Sequence, residues 1–326
     1  MIISRTPLRM SFVGGGSDLP QFYREHGGAV LSSTIDKYVY ITANRKFDDS
    51  IRLSYSVTEE VSSVSDINHP LARHALRHLG IDGGIELTTV ADIPSRGTGL
   101  GSSSSFAVGL LNVLGAFQGR FTPPAQLAEG ACHIEIDLMG EPIGKQDQYA
   151  AAFGGLQMYE FRPDGSVVVS PLLMTAPMRS MLQSRLLMFY TGITRSASAI
   201  LATQAANMTS NASKVEAMKR MVELTYELRD ELQAANLDNF GEILHENWVL
   251  KKSLADGVSN PIIDAAYEAA LAAGATGGKI LGAGAGGFLL FYAHESTHRS
   301  IETALAPLRR IPFTFDDSGS RIIFAC

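Results

Sequence analysis

The segment GTGLGSSSS, residues 97–105, carries the groups best suited to hold a phosphate. Its glycines stand directly before an apolar run, and a glycine-rich turn at a helix N-terminus lets several backbone N–H groups converge on an anion. The helix dipole adds partial positive charge at the same point. The hydroxyls of Ser102 and Ser103 can add hydrogen-bond donors or bind Mg²⁺. A tight turn with serine N-caps is the other interpretation, and glycine content alone leaves both open.

Two better-known phosphate motifs do not fit this chain. A P-loop requires Lys followed by Ser or Thr, but Lys279 is followed by Ile280. The pattern G-x-G-x-x-G occurs at Gly282, Gly284 and Gly287. The apolar run that follows it predicts a strand, whereas dinucleotide binding needs a helix there. Both motifs are therefore rejected.

Turn residues and hydrophobic patterns predict strands and helices in both halves of the chain, an α+β protein. Residues 103–119 are apolar on every face, which predicts a buried helix. The turn signal RPDG at residues 162–165 predicts a strand pair, 156–161 and 166–170. The other predicted strands are residues 38–42, 51–55, 85–90, 185–190, 288–292, 311–315 and 321–324. The other predicted helices are residues 68–79, 123–138, 196–207, 213–235, 240–254, 261–273 and 296–306.

Length and composition exclude several classes of protein. A chain of 326 residues predicts two domains, which we divide near residue 180 into 1–180 and 181–326. The net charge of −6 argues against a nucleic-acid partner. Two cysteines exclude a disulfide framework and a four-cysteine zinc site. The start of the chain has no apolar run of signal length, and the longest apolar run is far too short to span a bilayer. We therefore expect a cytoplasmic protein with no membrane partner.

Three separate glycine motifs resemble those of the GHMP small-molecule kinases. These are RTPLRMSFVGGGSD at residues 5–18, PSRGTGLGSSS at 94–104 and KILGAGAGGF at 279–288, in the family's order. The resemblance implies an ATP-dependent, Mg²⁺-dependent kinase of two α+β domains. It further implies that the N-terminal domain resembles ribosomal protein S5, that the C-terminal domain is ferredoxin-like, and that the active site lies in the cleft between them. Two departures exist: Pro94 stands one residue further from Gly99 than usual, and Gly15-Gly16 replace the Glu-His of galactokinases, which argues against galactose.

The resemblance also implies the catalytic and metal-binding residues. Asp147, in GEPIGKQDQYAAAFGG, corresponds to the catalytic aspartate, and the charge of Lys145 is expected to keep it ionised. Arg9 corresponds to the basic residue that contacts the transferring phosphate or supports the base. Glu135, with Ser103, corresponds to the Mg²⁺ site. The structural alternatives are a surface aspartate at a helix start and a salt-bridged helix glutamate. Asp137 is the weaker metal candidate because it lies on another helix face.

The remaining implied site residues bind ATP and the acceptor. The ATP-phosphate set is Gly97, Gly99, Leu100, Gly101, Ser102, Ser103 and Ser104. The acceptor set is Gly16, Ser17, Asp18, Arg195, Gly284 and Gly286. Asp18 corresponds to a sugar-binding aspartate, although it could instead cap the helix expected at residues 19–25. Trp248 and Lys251 share a predicted helix, and we expect them to be buried against a glycine loop.

Several segments resemble the branch of the family that phosphorylates the anomeric hydroxyl of sugars. They are TGITRSAS at residues 191–198, the Asp147 segment and the C-terminal strands. The resemblance implies D-glycero-D-manno-heptose 7-phosphate as acceptor, for nucleotide-heptose synthesis. Its distal phosphate needs a second anion site, for which Arg195 beside Ser196 is the candidate; a helix-entry arginine is the alternative. An L-fucose or N-acetylhexosamine 1-kinase and a non-catalytic sugar-binding regulator are the competing hypotheses, and a homodimer stays open.

Overall fold

The computed structural model of the protein describes residues 1–94, 97–194 and 198–326, which form two β-sheets with helices packed against them. The strands, in chain order, are β1 Ile2–Val13, β2 Gly28–Arg45, β3 Ile51–Ser54, β4 Thr58–Val61, β5 Ile85–Ala91, β6 Leu156–Phe161, β7 Val167–Pro171, β8 Leu186–Tyr190, β9 Ala275–Ile280, β10 Phe288–Ala293, β11 Arg309–Arg310, β12 Phe315–Asp316 and β13 Arg321–Ala325. The helices are α1 Pro20–His26, α2 Pro70–His78, α3 Ser102–Phe117, α4 Pro124–Cys132, α5 Gln146–Phe153, α6 Ala176–Ser184, α7 Ser198–Ser210, α8 Ala212–Gln233, α9 Phe240–Ser253, α10 Pro261–Ala272 and α11 His298–Ala304. None of the helices in these ranges combines the length and the apolar character that a bilayer span requires.

The first sheet is organised around the long strand β2. It pairs antiparallel with β1 on one side, and on the other side with β6 at its start and β5 at its end. Strand β3 joins β5 in parallel, and β4 forms the edge. Helix α3 packs on β1 and β2, and eleven of its residues are buried. The predicted buried helix is thus confirmed, because an apolar surface on every side needs protein on every side.

The second sheet is antiparallel and has the strand order β11-β8-β10-β9. Helices α9 and α10 pack on β9, and the fully buried Trp248 of α9 contributes to the core of this unit. The strand predicted after the third glycine cluster is therefore confirmed, and it is β10. Its six residues are all buried, which explains why they read as one continuous apolar run.

The end of the chain returns to the first sheet. Strand β12 pairs with β2, with Phe315 opposite Ile35, and β13 pairs with β1. The predicted division near residue 180 falls within α6, and the two last strands lie beyond it in sequence but beside the N-terminal strands in space. An aromatic contact joins the two units, because Phe12 of β1 lies 5.4 Å from Phe240 of α9, between ring centroids.

Strand β1 is absent from the elements that the sequence predicts. Its signal is the alternation of Leu8, Met10 and Phe12 with polar residues. Pro7 and the glycines that follow weaken that signal, since proline and glycine usually interrupt a strand. The strand matters for the site because Arg9 lies on it and the first glycine cluster follows it directly.

Candidate active site

The glycine-serine segment forms a turn that opens directly into α3. Gly97, Gly99 and Gly101 have φ angles of 67°, 76° and 74°, a region that side chains disfavour. Gly101 is the residue that caps α3. The first N–H groups of a helix have no partner within the helix, so the start of α3 is suited to bind an anion. The structure therefore confirms that a glycine turn precedes a helix at this point of the chain.

The N-terminus of α3 lies next to Asp147. A Cβ atom added to Gly101 would stand 3.3 Å from Asp147 Oδ2, so the glycine allows the carboxylate to approach the turn. Asp147 is in the first turn of α5. Its side chain is 25% exposed, so part of it remains accessible. The glycine turn and the carboxylate are therefore neighbours, although 46 positions separate Gly101 from Asp147 in the sequence.

Arg9 connects the carboxylate to the turn. Its Nε and Nη2 donate to the two oxygens of Asp147, both at 2.7 Å, in a bidentate pair. Its Nη1 donates to the carbonyl of Gly99 at 2.6 Å, and its backbone N–H donates to the carbonyl of Leu100 at 3.0 Å. One buried arginine thus sets the distance between the turn and the carboxylate.

The sequence-based expectation for Lys145 is wrong. Its Nζ donates to the carbonyl of Gly165 at 2.7 Å and lies 5.3 Å from the ring centre of Tyr23. The cation paired with Asp147 is Arg9, which is 138 positions away in the chain. A neighbour in sequence was the wrong candidate because residues 145 and 147 do not share a face of the chain at the start of α5.

Glu135 lies in a π-helical turn, His133–Leu138, which continues α4 and ends the helix predicted at residues 123–138. Its Oε1 accepts from Ser103 Oγ at 2.8 Å, and its Oε2 accepts from Gln148 Nε2 at 2.6 Å. Burial raises the pKa of Glu135 to about 7, against hydrogen bonds from serines 103 and 104 and from Gln148. By contrast, Asp137 is exposed and pairs with His133.

The donor set around Glu135 fits a magnesium ion. Mg²⁺ prefers oxygen ligands and usually takes one or two carboxylates together with phosphate oxygens. Glu135 and Ser103 offer two such oxygens beside the N-terminus of α3, and a nearby cation would offset the cost of burying the carboxylate. In the described part of the chain, no cluster of three or more His, Cys, Asp or Glu side chains forms a metal site made by protein alone. The site would therefore depend on substrate phosphate to complete the coordination.

The first glycine cluster forms a turn that holds Asp18. Its Oδ1 accepts from the N–H of Gly16 at 3.0 Å and from Gln146 Nε2 at 3.1 Å, and its Oδ2 accepts from the N–H of Gln146 at 3.0 Å. Burial raises the pKa of Asp18, and these donors oppose that effect. The residue capping α1 is Leu19, without a side-chain cap, so Asp18 is not a helix cap.

Ser17 has a different role from the acceptor binding that the resemblance implies. Its hydroxyl donates to the carbonyl of Ala29 and accepts from the N–H of Ala29, both at 3.0 Å. Both functions of this buried side chain are therefore used in attaching the turn to β2. Any contact of Ser17 with an acceptor would have to come from its backbone.

Two side chains of the second unit hold the same turn, and a third holds the end of β1 that leads into it; the sequence analysis did not assign any of them to the first glycine cluster. Asn247 Oδ1 accepts from the N–H of Gly14 at 3.2 Å, and Lys251 Nζ donates to the carbonyl of Gly15 at 2.9 Å. Asn247 and Lys251 lie one helical turn apart on α9, so both reach the turn from one face. Lys279 of β9 donates to the carbonyls of residues 11 and 12 at 2.8 and 3.1 Å.

Burial of these lysines has an electrostatic consequence. It lowers the pKa of Lys251 to about 8, although Asp18 opposes the shift, and it lowers the pKa of Lys279 well below its ordinary value. The expected burial of Trp248 and Lys251 is confirmed, and the glycine loop that Lys251 contacts is the first of the three clusters. An i, i+4 pair of Asn and Lys on a helix carries no sequence signal that points to a turn more than 200 positions earlier.

The third glycine cluster packs against the turn at residues 97–101 and its surroundings. A Cβ on Gly282 would lie 2.5 Å from the Cα of Gly99, and one on Gly287 would lie 2.2 Å from the carbonyl oxygen of Thr98. The two glycines that the resemblance assigns to the acceptor are also tightly packed. A Cβ on Gly284 would lie 2.4 Å from Val258 O, and one on Gly286 would lie 2.5 Å from Ile193 O. Close backbone packing therefore explains why glycine occupies these positions. Arg195 lies outside the described residues.

Comparison with known proteins finds similarity to one kinase family in both halves of the chain. The family model of the GHMP kinases N terminal domain matches residues 68–155, and that of the GHMP kinases C terminal domain matches residues 228–309. The chain is 30% identical over 325 residues to a D-glycero-alpha-D-manno-heptose 7-phosphate kinase of Campylobacter jejuni, covering 93% of both chains. It is 28% identical over 314 residues to a bifunctional fucokinase/GDP-fucose pyrophosphorylase of Arabidopsis thaliana, covering 89% of this chain and 30% of that one. The crystal structure of a D-glycero-D-manno-heptose 1-phosphate kinase from Bacteroides thetaiotaomicron superposes with a TM-score of 0.83 at 26% identity, over 100% of both chains.

Proposed function

This chain belongs to the GHMP kinase family, and we propose that it transfers the γ-phosphate of ATP to the anomeric hydroxyl of D-glycero-D-manno-heptose 7-phosphate. Membership makes it a phosphotransferase, and its relatives make it a sugar kinase. ATP as the phosphate donor, the acceptor, the anomeric position and the 1,7-bisphosphate product are the parts that we propose. The product would serve nucleotide-heptose synthesis, in the cytoplasm where ATP is available.

The observation that carries this proposal is the bidentate pair of Arg9 and Asp147 beside the N-terminus of α3. Phosphoryl transfer needs a bound phosphate chain, an oriented hydroxyl and a group that takes the hydroxyl proton. The turn at residues 97–103 is suited to the phosphates, and the accessible part of Asp147 is suited to the hydroxyl. The acceptor oxygen would bond to the γ-phosphorus as the bond to the β–γ bridging oxygen breaks, ADP would leave, and the proton would pass to Asp147.

Arg9 has two functions in this scheme. It orients the Asp147 carboxylate through two hydrogen bonds. Its contact with Gly99 keeps the turn at residues 97–101 at a constant distance from that carboxylate. A bound Mg²⁺ ion, held by Glu135 and Ser103, would offset the negative charge of the phosphates. These residues support a magnesium-dependent reaction because their oxygens lie together beside the turn.

The proposed acceptor rests on the relatives and on Asp18. Protein donors already hold the Asp18 carboxylate, and sugar hydroxyls that add to these hydrogen bonds would discriminate between acceptors. The heptose 7-phosphate kinase relative is similar over nearly its whole length, whereas the fucokinase relative is matched over 30% of its own length. An L-fucose 1-kinase is the second candidate, because the fucokinase relative is 28% identical over 314 residues. Arg195 stays our candidate for binding the distal phosphate.

Release of ADP with a panel of acceptors tests the proposal. Heptose 7-phosphate, mannose, L-fucose and N-acetylglucosamine are compared at equal concentration with Mg²⁺ and ATP. We expect the highest kcat/KM with heptose 7-phosphate. A preference for fucose or N-acetylglucosamine would replace the acceptor and keep the sugar kinase. Absence of turnover with every sugar would contradict the proposal, and would favour a regulator that binds sugar without catalysis.

A further inference from the structure

Gln204 is a completely buried polar side chain whose amide has no hydrogen-bond partner in the described part of the chain. It lies on α7, and neither its Oε1 nor its Nε2 makes a hydrogen bond to any residue that the structure describes. A buried carboxamide that lacks both its donor and its acceptor partners costs free energy. A bound molecule that forms hydrogen bonds with the amide would offset this cost.

The position of Gln204 places it at the Asp18 turn. A Cβ atom added to Gly16 would lie 2.4 Å from Gln204 Nε2, so the amide rests against the bare α-carbon of this glycine. The N–H of the same glycine donates to Asp18. Asp18 and Gln204 therefore approach Gly16 from two directions. A side chain at position 16 would collide with Gln204, which explains the glycine.

A second unpaired amide atom lies at the same turn. Gln146 uses its Nε2 to bind Asp18, but its Oε1 is buried without a partner among the described residues. That Oε1 would be 3.8 Å from a Cβ on Gly15. Three unsatisfied amide atoms from two elements thus surround the turn that carries the proposed sugar-binding carboxylate. Gln146 precedes Asp147, so this group adjoins the proposed site of the reaction.

The chemistry of these atoms indicates the kind of group that they bind. A carboxamide offers one acceptor and one NH₂ donor without net charge, and a hydroxyl both donates and accepts. A phosphate would leave the Oε1 atoms without a donor, whereas a sugar hydroxyl satisfies either end of the amide. We propose that Gln204, with the Oε1 of Gln146, forms hydrogen bonds with hydroxyl groups of the sugar acceptor and helps to determine which sugar the enzyme accepts. The inference deepens the proposed function and rests on it.

The near-isosteric substitution Gln204→Met tests the inference. The acceptor is heptose 7-phosphate, or the sugar that the wild-type enzyme prefers in the panel. We expect its KM to rise about 10-fold, as when a substrate loses one or two hydrogen bonds. The KM for ATP should stay unchanged. The melting temperature of the unliganded protein should stay equal or rise, because two buried unpaired atoms are removed.

The matched control is Thr203→Ala on the same helix. Thr203 is exposed, and its hydroxyl bonds only to a carbonyl of its own helix among the described residues. This variant should leave both KM values unchanged. Gln204→Leu is a second variant, with the same expectation as Gln204→Met.

Three results would overturn the inference. An unchanged acceptor KM would mean that Gln204 does not contact the sugar. A fall in melting temperature in both Gln204 variants would make the side chain structural, and an equal rise in the KM values of ATP and sugar would assign it to the nucleotide. These results differ from failure of the proposed function, which is absence of sugar-dependent turnover in the wild-type enzyme and would remove the inference with it.

Discussion

Gly99 and Gly282 pack backbone against backbone, with no room for a side chain on either. A Cβ on Gly99 would lie 2.2 Å from the carbonyl oxygen of Leu281, and one on Gly282 would lie 2.5 Å from the Cα of Gly99. The turn that opens into α3 is therefore shaped by a loop of the second unit, nearly 200 positions later in the chain. Arg9 also binds the carbonyl of Gly99. The packing of Gly282 on Gly99 therefore connects the second unit to the Arg9–Asp147 pair.

Substitution of Gly282 tests that contact. Gly282→Ala should destabilise the protein by about 1–3 kcal/mol, as overpacking does, and should raise the KM for ATP because the turn must shift. The matched control is Gly257→Ala. Gly257 also has positive φ, 79° against 76° for Gly282, but a Cβ there would meet nothing within 4 Å. Equal losses in the two variants would assign the effect to backbone strain and would contradict a specific role for the packing.

Removal of the Asp147 charge should stop catalysis while binding persists. Asp147→Asn retains size and one acceptor oxygen for Arg9, but it cannot take a proton from the acceptor hydroxyl. We expect kcat to fall by roughly 10²–10⁴-fold with the KM for ATP nearly unchanged. Asp137→Asn is the control, because that exposed carboxylate pairs only with His133 in the described structure. Turnover near the wild-type rate in Asp147→Asn would show that the Arg9–Asp147 pair is structural.

Glu135 should set the magnesium requirement. Glu135→Gln keeps the hydrogen bond from Ser103 but removes the negative charge next to the α3 N-terminus. We expect the Mg²⁺ concentration for half-maximal activity to rise by at least roughly 10-fold, as for a lost metal ligand. Magnesium titrations at saturating ATP measure this change, with Asp137→Asn again as control. A Mg²⁺ dependence identical to that of the wild type would contradict metal binding by Glu135.

Lys251 predicts a pH dependence of stability with a defined sign. Its pKa is about 8 in the folded protein and 10.5 ordinarily, so between these values the unfolded chain binds the extra proton. Stability therefore increases with pH across this window, by about 1.4 kcal/mol for each unit of lowered pKa. The free energy of unfolding of the wild type, relative to Lys251→Met, should grow between about pH 8 and about pH 10. Denaturant titrations at both pH values measure it.

The neighbouring Lys252 supplies the control for this measurement. Its partly exposed ammonium pairs with Asp264 at 3.3 Å, in contrast to the buried ammonium of Lys251. Lys252→Met should show no comparable growth of the difference over the same interval. A constant difference between the wild type and Lys251→Met would mean that Lys251 stays protonated in the folded protein over this interval, as it does in the unfolded chain.

Some features of this protein follow from the sequence alone because they depend on residues close together in the chain. Glycines before an apolar run predict a turn and a buried helix, and the structure has both at Gly101 and α3. The motif that contains Asp147 and the order of the three glycine clusters were enough to indicate the kinase family. The strand pair β6 and β7 was equally local, since a turn signal joins its two members. In each case, backbone preferences and hydrophobic period decide the outcome within about 20 residues.

Tertiary structure alone decided which of these residues meet. The partner of Asp147 is Arg9 rather than the adjacent Lys145, and Glu135 shares its hydrogen bonds with Gln148 as well as with the predicted Ser103. Lys251 and Gln204 reach the first glycine turn from helices of the second half, and no local pattern distinguishes them from other buried polar residues. These contacts, most of them between residues far apart in the sequence, depend on how whole sheets and helices pack. A side chain's neighbours in space are set by that packing, whereas its own residue type and its neighbours in sequence set only its local conformation.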